Sequence, residues 1–165
     1  MTILHRKRSG FSGYGPRFGT RPDDCPNLKY GQLKNTYALI ISENQTLGEI
    51  ADSLKKMGSI YEKSGDVNQC RITKEDDHLW IFKDESMIPI YDDMGHTDEI
   101  QRKLGGLKIR TVLILESTSS AGGNRLVHDV ICEISKKIPA VWESEDSVFH
   151  SHEDLMKRCS QSSNE

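Results

Sequence analysis

Several stretches hold residue types that do chemistry. The first is Ser117–Asn124, read Ser-Thr-Ser-Ser-Ala-Gly-Gly-Asn, which follows an apolar run and leads into a helical pattern. A loop of hydroxyls and glycines at a helix N-terminus binds phosphate, because free amides and the helix dipole point at the anion. Ser119, Ser120, Gly122, Gly123 and Asn124 are the candidates here. The stretch lacks the lysine and spacing of GxxxxGK[ST] and does not match GxGxxG. Any strand-to-helix connection also wants small, turn-forming residues and a cap, so a plain structural role stands beside the phosphate one.

Two further stretches combine histidine with carboxylates. Asp92-Asp93-Met94-Gly95-His96-Thr97-Asp98 has oxygen and nitrogen ligands close in sequence, but no glutamate closes an EF-hand loop. It reads as an acidic turn before a helix whose dipole Asp98 and Glu99 suit. His150-Ser151-His152-Glu153-Asp154 has neither the HExxH nor the zinc-finger spacing and reads as a polar helix start. His5, His78 and His128 stand alone. Spacing assembles no Ser/His/Asp or Cys/His set, so no catalytic residue, metal or cofactor is assigned and a non-enzymatic role is expected.

Charge is the stronger signal. Residues 75–99 hold nine acids against Lys83 alone, with Trp80, Phe82 and Tyr91 among them. The ordinary reading is a solvated face. At this density a docking surface for a basic protein is the sharper one, with aromatic anchors and carboxylates that steer. The expected contact residues are Asp76, Asp77, Trp80, Asp84, Glu85, Tyr91, Asp92 and Asp93. Residues 1–21 carry Arg6, Lys7, Arg8, Arg17 and Arg21 and no acid. The whole chain is −3, so the remainder carries −8. Arginines interleaved with Phe11, Tyr14 and Phe18 resemble segments that bind single-stranded nucleic acid. A body of charge −8 is a poor platform for phosphates, so a protein partner is expected in preference to nucleic acid.

The elements that must position these residues follow from periodicity. Residues 1–28 form a basic Gly/Pro-rich arm without period, 29–158 one domain, and 159–165 a frayed tail. Thr36–Ser42 reads as a buried strand. Thr46-Leu47-Gly48-Glu49 is a capping box opening a helix with Leu47, Ile50, Ala51, Leu54 and Met57 on one face. Gly58 fits its C′ position, and Ile60 and Tyr61 offer a continuation to Ser64-Gly65. Val67–Thr73 and His78–Lys83 make a hairpin across a short polar turn. Met87–Tyr91 reads as a short edge strand because of Pro89. Thr97 caps a short helix ending at Gly105-Gly106. Lys108–Glu116 is apolar on both faces and suits a central strand. After the Ser/Gly loop comes a helix with Leu126, Val127, Val130, Ile131 and Ile134, stopped by Pro139. Ala140–Trp142 reads as a closing strand, and Ser151 starts a last helix through Cys159. The order predicts an α+β domain with a mixed or antiparallel sheet of about five to six strands and helices mainly on one face.

No apolar stretch approaches a membrane span, and no secretory signal opens the chain. Cys25, Cys70, Cys132 and Cys159 show no CxxC pairing, so reduced thiols in the cytoplasm are expected.

The opening TYALIISENQTLGEIADSL, the acidic hairpin region and the helix SAGGNRLVHDVICEISKKI together resemble small immunity proteins of bacterial polymorphic and contact-dependent toxin systems. The resemblance implies a cytosolic α+β inhibitor without an active site, which masks the catalytic cleft of a basic toxin, a nuclease among the options. Two alternatives stand beside it. One is a phosphate- or nucleotide-binding enzyme or sensor using Ser117–Asn124, and the other is RNA binding through the arm.

Overall fold

The computed structural model describes residues 34–62 and 69–162. The arm, and with it Cys25 and the expectations for nucleic-acid binding, lies outside them. The elements are β1 (Lys34–Ile41), α1 (Leu47–Leu54), β2 (Ser59–Glu62), β3 (Gln69–Lys74), β4 (Asp77–Lys83), α2 (Met87–Asp93), α3 (Thr97–Lys103), β5 (Thr111–Thr118), α4 (Ala121–Ser135), β6 (Ala140–Glu143), β7 (Phe149–His150) and α5 (His152–Ser162). The strands form one antiparallel sheet in the order β2-β3-β4-β5-β1-β6-β7.

β5 sits in the middle because its side chains are apolar on both faces and must be covered twice. It pairs with β1 through Leu39↔Leu113 and Ile40↔Val112, and with β4 through Ile81↔Leu115. Alternation then splits the core. Leu39, Ile41, Ile72, Leu79, Ile81, Leu113 and Leu115 join the buried faces of α1, α4 and α5. Ala38, Ile40, Val112, Ile114 and Val141 join Tyr91 of α2, Ile100 of α3, Leu104, Ile109 and Phe149 on the other side. The three long helices thus share one face, and the two seven-residue helices cover part of the other. This is the α+β architecture that the pattern predicts.

Local rules explain the boundaries. Thr46 Oγ1 accepts the Glu49 amide at 3.2 Å, and Glu49 Oε2 takes the Thr46 amide at 2.8 Å, so the capping box forms. The Thr46 amide, and then the Thr46 hydroxyl, both donating to Glu49 Oε2, hold the Glu49 carboxyl below its ordinary range. After α1 a single 3-10 turn, Lys55–Met57, leads to Gly58. A Cβ there would lie 2.6 Å from the Thr73 carbonyl oxygen, so only glycine lets β3 approach this closely. Ile60 and Tyr61 do not continue the helix. They belong to β2, whose register pairs Ile60 with Ile72 of β3. The β3–β4 hairpin turns on two residues, Glu75 and Asp76, with Glu75 at φ +56°.

Met87–Asp93 is a helix and not an edge strand. Pro89 is its third residue, where the missing N–H is one of the amides that no helix pairs. Thr97 is the first residue of α3, His96 takes the cap position, and the buried Thr97 hydroxyl has no partner among the described residues. Gly105 and Gly106, at φ +73° and +86°, end α3, with the Gly106 amide on the Gln101 carbonyl at 2.8 Å. α5 runs on through Ser162, so residues 159–162, read from sequence as tail, are helical.

The largest departure concerns the cysteines. Cys132 of α4 and Cys159 of α5 form a disulfide, their Cα atoms 5.6 Å apart. The thiol reading does not hold for this pair. Nothing local in a 27-residue separation announces that two helices bring it together. Cys70 is buried in the core between sheet and helices.

Candidate functional site

The carboxylates that are neighbours in sequence are not neighbours in space. β4 has seven residues, so its two ends are roughly 20 Å apart. Asp76 and Asp77 stand at one end, beside the start of α4. Asp84, Glu85, Asp92 and Asp93 stand at the other, around α2.

Asp77 serves the protein itself. Its Oδ1 accepts the Ser120 hydroxyl at 2.5 Å and the Thr118 hydroxyl at 3.3 Å. Ser120 is the N-cap of α4, and its Oγ also accepts the Gly123 amide at 2.8 Å. A Cβ built on Gly122 would fall inside the Asp77 carboxylate, and one on Gly123 would strike the Thr118 carbonyl. The glycines therefore admit a carboxylate and a strand end to the first turn of the helix. The half-buried Asp77 carboxylate at the N-terminus of α4 satisfies the dipole from within. Asn124 is held too, its Oδ1 accepting Asn35 Nδ2 at 2.9 Å and the Tyr37 hydroxyl at 3.4 Å. Of the phosphate candidates, Ser120, Gly122, Gly123 and Asn124 are thus engaged internally, and Ser119 is an exposed loop residue.

Two of the expected anchors are core residues. Trp80 and Tyr91 are each 2% exposed, so neither offers a surface to a partner. Tyr91 is on the face of α2 turned to the sheet, in the core with Ile100 and Phe149. Tyr91 gives its hydroxyl proton to Glu143 Oε2 at 2.5 Å, and burial followed by this bond raises its pKa.

What α2 turns outward was not singled out from sequence. Ile90 is 43% exposed and Met94 62%, one helical turn apart. Asp92 and Asp93 are exposed beside them, and Asp84 and Glu85 precede the helix. Asp84 Oδ1 accepts the Ser86 amide at 3.0 Å, which fixes the turn into α2. Glu85 is paired with Lys83 at 2.7 Å. The surface is therefore apolar at its centre and acidic around it. Amphipathic spacing in Met87–Met94 was the available signal, but the proline masked it.

The histidine segments resolve into structure. Ser151 Oγ accepts the Asp154 amide at 3.2 Å and the Ser151 amide reaches Asp154 Oδ2 at 3.4 Å, a reciprocal cap on α5. His152 Nδ1 accepts the Ala140 amide at 3.3 Å. His150 packs on Trp142 with ring centres 5.0 Å apart, and burial, then Arg158, lowers its pKa. His78 shares a hydrogen bond with Thr73 Oγ1 at 3.1 Å, and burial, then Arg71, lowers its pKa.

A mostly apolar cavity of about 150 Å³ lies among Tyr37, Asn124, His128, Trp142, Arg158 and the disulfide. Sites for drug-sized ligands run to roughly 300–1,000 Å³, so it is too small for a nucleotide. No described helix is long and apolar enough to cross a membrane. The chain matches no family model, no curated protein and no solved structure.

Proposed function

We propose that this is a non-enzymatic protein-binding module of the immunity or antitoxin kind, which acts in the cytoplasm by masking the active site of a cognate, basic toxin domain. The observation that carries the reading is the outward surface of α2. Ile90 and Met94 project from a carboxylate field made by Asp84, Glu85, Asp92 and Asp93. Apolar side chains that are dehydrated on contact supply affinity, while the carboxylates steer a basic partner and set the encounter rate. A nuclease cleft, built to hold phosphates, is of the opposite charge. The Asp77 carboxylate at the start of α4 counts against the alternative of a phosphate sensor at Ser117–Asn124.

The test is capture from the native host followed by inhibition. Wild type is compared with a variant carrying Asp84→Lys, Glu85→Lys, Asp92→Lys and Asp93→Lys, with an Ile90→Ser/Met94→Ser variant, and with Asp76→Lys as a control at the far end of β4. The expected partner is basic, loses its activity when bound, associates more slowly in salt, and is lost from both α2 variants but not from the control. The same partners captured by all four proteins would sink the proposal.

A further inference from the structure

The α4–α5 junction carries chemistry that the proposed binding role does not use. His128 and Cys132 are four residues apart on α4, hence on one side of the helix, and α5 brings Cys159 against them. The donor atoms of the three residues all lie within 4.8 Å of one another. Cys132 Sγ is 3.8 Å from each ring nitrogen of His128, so either nitrogen can be turned toward a shared ligand. His128 is only half buried, and all three residues line an open groove of about 390 Å³ beside α4. A solute therefore reaches them without unfolding. Asp129 Oδ1 is 3.9 Å from His128 Nδ1, beyond hydrogen-bond reach, so its carboxylate adds only nearby negative charge.

We infer that reduction of the Cys132–Cys159 bond turns this junction into a three-ligand site for a divalent, zinc-type cation. One imidazole and two thiolates form a borderline-soft set that suits such an ion, and the fourth tetrahedral position faces the groove. With metal–sulfur bonds of about 2.3 Å the sulfurs stand about 3.8 Å apart, a spacing that side-chain rotation supplies from Cα atoms 5.6 Å apart. A dithiol reductant supplies the two electrons. The sulfur–sulfur bond breaks, each sulfur takes one proton, and the reductant leaves as its own disulfide. The cation then displaces both thiol protons to solvent. A reducing cytoplasm favours this form and an oxidising compartment favours the disulfide, so the two states are alternatives of one junction.

The experiment uses the full chain, reduced by a phosphine, with its fold followed by far-ultraviolet circular dichroism. Cobalt(II) is titrated as the probe. One equivalent is expected to produce thiolate-to-cobalt charge-transfer absorption and tetrahedral d–d bands, which zinc bleaches. The oxidised chain shows neither. Cys132→Ser and Cys159→Ser lose the charge-transfer signal, whereas Cys25→Ser and Cys70→Ser keep it. His128→Ala weakens cobalt binding by roughly tenfold or more and shifts the d–d bands. A reduced, folded chain without charge-transfer absorption overturns the inference. So does a signal that survives Cys132→Ser or is unchanged in His128→Ala.

Discussion

Replacing Asp77 by alanine separates a structural carboxylate from a ligand-site neighbour. The side chain receives the Ser120 hydroxyl at 2.5 Å and the Thr118 hydroxyl at 3.3 Å, and its charge faces the amide end of a fifteen-residue helix. A hydrogen bond to a charged group contributes about 1.5–3 kcal/mol, and the lower end applies because Asp77 is partly exposed. The interaction with the helix dipole adds about 0.3–1 kcal/mol. Asp77→Ala is thus expected to cost about 2 kcal/mol, which lowers Tm by about 6–10 °C in a domain of this size. Asp77→Asn keeps an acceptor and loses the charge, so it falls between. Urea unfolding followed by circular dichroism measures both, with an unchanged m-value showing that stability alone has moved. The vacated helix end should also gain an anion site, so inorganic phosphate should stabilise Asp77→Ala more than wild type. An alanine variant within about 0.5 kcal/mol of wild type refutes the assignment. Equal stabilisation of both proteins by phosphate refutes it as well.

Three other outcomes follow from the same structure. Reducing the Cys132–Cys159 bond under a chelator, or replacing both cysteines by serine, should cost about 3.5 kcal/mol by the chain-entropy relation for a 27-residue loop; a urea midpoint that does not move would exclude the cross-link. Gly58→Ala should destabilise by about 1–3 kcal/mol, because its Cβ meets the Thr73 carbonyl oxygen at 2.6 Å and backbone cannot swing aside; calorimetry showing a neutral or stabilised variant would contradict the close approach. His78 and His150 resist protonation in the folded state, chiefly through burial, while the unfolded chain takes those protons near the ordinary 6.5. The unfolded state then binds more protons, so stability is full above about pH 7 and falls as pH drops through 6.5 and below. Urea midpoints taken on either side of that window should decline toward acid, and less so in His78→Asn/His150→Asn; a midpoint that rises toward acid reverses the sign and the reasoning.

The acidic stretch shows how a linear charge count misleads. Nine carboxylates within twenty-five residues look like one surface. An extended strand runs through the stretch and carries its ends in opposite directions, so Asp77 meets the start of α4 while Asp84, Glu85, Asp92 and Asp93 lie around α2. Around α2 the exposed apolar side chains are Ile90 and Met94, whereas Trp80 and Tyr91 are buried.

By itself the sequence determined what depends on near neighbours. Thr46 and Glu49 announce a capped helix because both cap bonds span three residues. The apolar run through Val112–Leu115 marks the strand that must be covered on both faces. The hairpin at Lys74–Asp77 and the helical spacing of Leu126–Ile134 are equally local. Tertiary structure decided everything that depends on which faces meet. It made Met87–Asp93 a helix, because Tyr91, Met87 and Ile88 find the sheet on one side and leave Ile90 and Met94 on the other. It set Asp77 over Gly122 across a separation that no pattern encodes. It also joined Cys132 to Cys159 beside His128, since only the packing of α5 on α4 brings those sulfurs into reach. Periodicity reports which residues seek burial, and the closing of the sheet by its helices determines what they find there.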